Sequence, residues 1–126
     1  MLCLLTLSFS LFAAKAYVFV SFSMPKQLLI ATLSESARLK IPAYLNGMYQ
    51  NSMSETAKKV MSLSSQVPGL SLQIDPTLFE RFDIHQVPAL VVEERGCFDV
   101  IYGNLSIEQG LARIKVHGEC SMRGVL

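Results

Sequence analysis

Six consecutive residues, Tyr17 to Phe22 (YVFVSF), are almost wholly aromatic or β-branched and show no polar alternation. Such a strand has no face to give to water, so it belongs inside a sheet that is covered on both sides. The chain can supply that cover once: its 126 residues are 51% hydrophobic and 17% charged with mean hydropathy +0.38, which suits one domain and leaves little for a second core.

The segments after this strand fit a layered α/β arrangement. Ser23 is positioned to cap a helix with Pro25 in its first turn, where a missing N–H costs nothing. Leu28, Leu29, Leu33 and Ala37 continue at helical spacing, which predicts a helix to about Lys40. Ile41 to Leu45 (IPAYL) reads as a second strand, closed by Asn46-Gly47. Ser52 with Glu55 forms a capping box, and Met53, Ala57, Val60, Met61 and Ser64 predict one face of a second helix ending near Gln66. Leu70 to Ile74 is a third strand. Asp75-Pro76 then starts a short helix ending near Phe82, with Phe79 and Phe82 expected in the core. Ala89 to Val92 and Phe98 to Tyr102 read as two antiparallel strands across a polar turn. Ser106 with Gln109 opens a last helix with Ile107, Leu111 and Ile114 on its buried side.

The order is a β-α-β unit, helical material, and a β-β-α unit. This is the layout of a thioredoxin-like three-layer α/β/α sandwich. In that layout a proline enters the fourth strand, so Val87-Pro88 is expected to be cis, leaving the Val87 N–H and C=O free for an extended segment of a partner.

Residues 1–16 read as an export leader: an apolar run from Leu2 to Ala14 is followed by Ala14-Lys15-Ala16, a small-x-small pattern. Cleavage after Ala16 leaves a domain over 17–126 with no membrane insertion of its own. At 13 residues the run is short of the roughly 20 that span a bilayer as a helix. The formal charge of +1 falls to zero when Lys15 leaves with the leader, so there is no basic excess for nucleic acid. Folding calls for no cofactor, and His85 and His117 with the remaining cysteines do not supply a metal-ligand pattern.

Loss of the leader also removes Cys3, leaving Cys97 and Cys120 as an even pair suited to an oxidising compartment. The strand from Phe98 spans about 17 Å and the helix from Ser106 to His117 about 18 Å. A helix returning antiparallel to its strand therefore brings Cys120 back to Cys97, closing a 24-residue loop. The alternative use of this pair is thiol-disulfide exchange, which requires a depressed thiol pKa.

The segment Ser21 to Lys26 (SFSMPK) occupies the strand-to-helix corner where redox members of this layout carry Cys-x-x-Cys, and it holds no thiol. A serine there becomes a nucleophile only beside a base; His85 is the nearest candidate, with Asp83 in reach along the chain to orient it. An N-cap serine and a surface histidine are the simpler reading. Met24 and Met48 lie near loops and can line an adaptable contact surface, while Lys58-Lys59 reads as a solvated helix face.

SFSMP, IDPTLFERFDIHQVPALVV and FDVIYGNLSIEQGLARI, in that order and spacing, resemble the TrbC family of F-type conjugation systems from about Tyr17 to Glu119. The resemblance implies a periplasmic thioredoxin-like protein of conjugative pilus assembly within a type IV secretion apparatus, without enzymatic turnover and associated with TraW, a companion periplasmic assembly protein. Pro25, Asp75, Pro76, Pro88 and Gly103 match positions of the family pattern that look structural. The fold also resembles disulfide isomerases of the DsbC kind, whose active cysteines have no counterpart here. The expected site is a partner-binding surface of Ser23, Met24, Pro25, His85, Val87 and Pro88. The competing expectation is a DsbC-like oxidoreductase acting through Cys97 and Cys120.

Overall fold

The computed structural model describes residues 14–103, 106–118 and 120. Most of the expected leader, residues 1–13, lies outside these, as do residues 121–126 of the expected domain.

Along the chain run β1 (Lys15–Val20), α1 (Lys26–Arg38), β2 (Ala43–Leu45), a 3-10 turn (Tyr49–Asn51), α2 (Met53–Gln66), β3 (Leu72–Ile74), α3 (Pro76–Arg81), β4 (Ala89–Glu94), β5 (Cys97–Tyr102) and α4 (Ile107–His117). The five strands form one sheet in the order β3-β2-β1-β4-β5. β1 and β3 each pair parallel with β2, and β4 lies antiparallel to both β1 and β5. β1 begins two residues before the expected cleavage point, with Lys15 opposite Glu93 and Ala16 opposite Val92.

The central place of β1 follows from its residues. Side chains alternate across a strand, so Val18 and Val20 join one core while Tyr17 and Phe19 join another on the opposite face. The first core is closed by Leu29 and Leu33 of α1, Leu63 of α2, and Ile107 and Ile114 of α4. The second is aromatic: Phe19 meets Phe79 of α3 edge-on at 4.8 Å, and Tyr17 lies 5.1 Å from Phe82. Burying each such side chain contributes roughly 1.5 to 3 kcal/mol. Three layers are present, with α3 covering its face alone. α4 packs tightly because position 110 is glycine; a Cβ there would come within 2.8 Å of the Leu90 side chain.

Capping follows the sequence at three helices. Ser52 accepts from Glu55 N–H, but the expected box is not closed there because the Glu55 carboxylate meets Lys58 at 3.2 Å; Asp75 accepts from Thr77 N–H, and Ser106 with Gln109 makes the reciprocal box. Two further expectations are corrected. Ser23 does not cap α1, because Pro25 occupies the N-cap position without a side-chain bond, and the helix stops at Arg38. The buried side of α2 carries Thr56 and Leu63; Ala57 and Ser64 are exposed, and Met53 and Met61 stand 64% and 72% exposed. Threonine can take the inner position because its hydroxyl is satisfied there, donating to Ser52 C=O and accepting from Tyr49 N–H.

Cys97 and Cys120 are joined, with their α-carbons 5.8 Å apart. As the lengths of strand and helix required, α4 returns to the start of β5, where Asp99 accepts the backbone N–H of Cys120.

Candidate functional site

Parallel strands end together, so the loops after β1 and β2 emerge at one edge of the sheet. β4 runs the other way, and its entry loop meets them there. Crevices outside the carboxyl ends of such strands are where α/β sheets admit ligands. Here the three loops enclose a groove of about 460 Å³. Val20, Leu45, Phe79 and Ile84 form its floor and Ser21 to Ser23 one side. Asn46 to Gln50 and His85 to Val87 form the facing walls.

Of the expected site residues, the groove gathers Ser23, His85 and Val87. The other three are placed elsewhere. Met24 is 8% exposed, with its sulfur accepting the Ser21 N–H at 3.4 Å, so its side chain is turned to the core and outside the groove lining. Pro25 stands at the head of α1 outside the groove lining. Pro88 follows a cis peptide bond and lines a separate cavity of about 230 Å³ between α1 and α4; its carbonyl accepts from Gly103 N–H at 3.2 Å. Among the described residues no hydrogen bond reaches the Val87 backbone.

Met48, marked in the sequence as a contact candidate, does line the groove, 43% exposed; the rest of the wall from Asn46 to Gln50 has no signal beyond its Asn46-Gly47 turn. It carries no chemistry-bearing side chain, and only the strand pairing brings it beside Ser21 to Ser23. Thr56 pins it through the Tyr49 N–H at 2.8 Å, and Tyr49 meets Phe22 edge-on at 5.7 Å. Lys59 lies over the Tyr49 ring at 4.7 Å, so it does more than solvate a helix face. Gln50 sits in this wall with φ +51°, a left-handed conformation costing of order 1 kcal/mol or more that persists because its surroundings fix it.

Two polar side chains of the groove already have partners. The Ser23 hydroxyl lies 2.8 Å from that of Ser21, and Nε2 of His85 lies 2.5 Å from the Asp83 carboxylate. Among the described residues no hydrogen bond joins Ser23 to His85, so the nucleophile and base of a hydrolase are not assembled. No cysteine lines the groove. Ala89 of β4, at the groove end, pairs with Tyr102, whereas Glu94 pairs with Cys97. Five residues of strand, about 17 Å, therefore separate the disulfide from the groove end of the sheet.

A model of the type-F conjugative transfer system pilin assembly protein family matches residues 18–126. The chain belongs to this family. Over 105 residues it is 43% identical to the periplasmic protein TrbC of Escherichia coli (strain K12), covering 83% of this chain and 50% of that protein. The chain thus spans about half the length of the curated relative it matches. Its compartment is the periplasm, where a disulfide persists. Two solved structures share the thioredoxin-like fold. MTB DsbF, described in mixed oxidised and reduced forms, has a TM-score of 0.53 at 14% identity, covering 82% of this chain and 79% of that one. StoA of Bacillus subtilis has a TM-score of 0.53 at 11% identity, covering 76% and 78%. Those identities speak for the fold alone.

Proposed function

We propose that this chain is a non-catalytic assembly factor of the conjugative pilus that holds an extended segment of another transfer-apparatus protein in the groove, with a TraW-like periplasmic protein as its first partner. On this reading residues 1–16 direct export and are removed after Ala16. Family membership supports the assembly role, and the groove supports binding over chemistry. The observation that carries it is a crevice with a free Val87 backbone and no thiol where the loops converge. An incoming strand can satisfy that backbone as added β-structure does.

The test uses oxidised full chain and a purified TraW-like protein. Val87→Asp and Phe22→Asp should each abolish capture; because both side chains pack against the core, each variant is assayed well below its own unfolding midpoint. Undiminished capture by both variants discards the groove. An insulin-reduction assay addresses the oxidoreductase reading: turnover that disappears in Cys97→Ser would replace binding with thiol chemistry.

A further inference from the structure

We propose that the groove selects its occupant by absence of charge: the segment it takes is extended, with uncharged and centrally apolar side chains entering between Phe22 and Tyr49 on one side and Val87 on the other. This rests on the assembly-factor reading and adds the chemistry of the partner. None of the residues lining the groove is Asp, Glu, Lys or Arg. The one imidazole at its rim, His85, is already turned to Asp83. The floor is apolar, made of Val20, Leu45, Phe79 and Ile84, all of them buried. A charge inserted there loses water and meets no charged lining residue, which is costly, whereas an apolar side chain gains by leaving water. Backbone polar groups of the same segment have partners at hand in the Val87 N–H and C=O.

The groove is also built in advance. Thr56 fixes Tyr49 from behind, and Ile84 N–H donates to Phe79 C=O at 2.9 Å. The Tyr102 hydroxyl donates to Asp83 C=O at 3.3 Å beside the second wall. Walls held this way are in place before an occupant arrives, and a preformed site spends less of its interaction energy on ordering itself. The volume lies within the range of pockets that bury small ligands, so one or two side chains can be enclosed.

The experiment varies the ligand and leaves the folded protein untouched. Capped seven-residue peptides of alternating serine and valine, with leucine, aspartate or lysine at the centre, are titrated into isotope-labelled oxidised full chain. Amide shifts are followed at Ser23, Tyr49 and Val87. The leucine peptide should move all three and bind at least about tenfold more tightly than either charged peptide. Equal or tighter binding of the aspartate or lysine peptide overturns the proposal, as does failure of all three to bind. In the last case the TraW-like capture assay separates the two ideas: capture still lost in Val87→Asp leaves the groove standing and removes only its neutral selectivity.

Discussion

Glu35 of α1 accepts the backbone N–H of Ile107, the first helical residue of α4, and the same oxygen accepts from Glu108 N–H at 3.3 Å. One carboxylate on a neighbouring helix thus completes the capping begun by Ser106, at the end of α4 where a negative charge is favoured. Replacing it tests how much of the α1-to-α4 joint it supplies. Glu35→Ala should cost about 1.5 to 3 kcal/mol, as for other charged hydrogen bonds. Glu35→Gln keeps an acceptor and should cost under about 1 kcal/mol. Urea unfolding midpoints read both.

The covalent tie closes a loop of 24 residues, for which the chain-entropy model gives about 3 kcal/mol. Cys97→Ser and Cys120→Ser should each lower stability by about that amount, and the double variant by no more than either alone. A double variant much less stable than the singles would show that the cysteines contribute by packing.

Thr56 serves the groove wall through its hydroxyl. Thr56→Val keeps the volume and leaves the Tyr49 N–H without its partner, a loss of roughly 1 to 3 kcal/mol. Thr56→Ser should restore most of the stability and the slow hydrogen exchange of the Tyr49 amide. Equal exchange rates in the valine and serine variants would detach Thr56 from the wall.

Tyr44 ties stability to alkaline pH. Burial holds its phenol above the ordinary value, and the neighbouring Tyr17 and Asp75 push the same way. The unfolded chain releases this proton near pH 10, before the folded chain does, so the folded state holds more protons above that point. The stability contribution is complete below pH 10 and declines as pH rises towards the folded value. Tyr44→Phe should flatten the alkaline limb of the stability curve, and tyrosinate absorbance in the folded protein should show one phenol titrating late.

Much of this architecture is legible because its signals are local. The unbroken apolarity of Tyr17 to Val20 places β1 centrally, and Asp75-Pro76 and Ser106 with Gln109 mark helix starts that the backbone follows. The lengths of strand and helix bring Cys120 to Cys97. Where residues can serve two purposes, sequence misleads. Met53 and Met61 are apolar enough to suggest a core face, yet Thr56 takes the inner position because two backbone groups satisfy its hydroxyl. Ser23 suits an N-cap by type, but Ser21 engages it first. Met24 joins the core instead, its sulfur within reach of the Ser21 N–H. Half of the groove stays hidden: Asn46 to Gln50 reads as a turn, and its nearness to Phe22 depends on β1 and β2 lying side by side.

The Cys97–Cys120 bridge and the groove occupy opposite poles of one sheet. The pairing of the two cysteines can therefore change without either sulfur entering the groove, so the fold carries its covalent fastening at one end and its opening at the other.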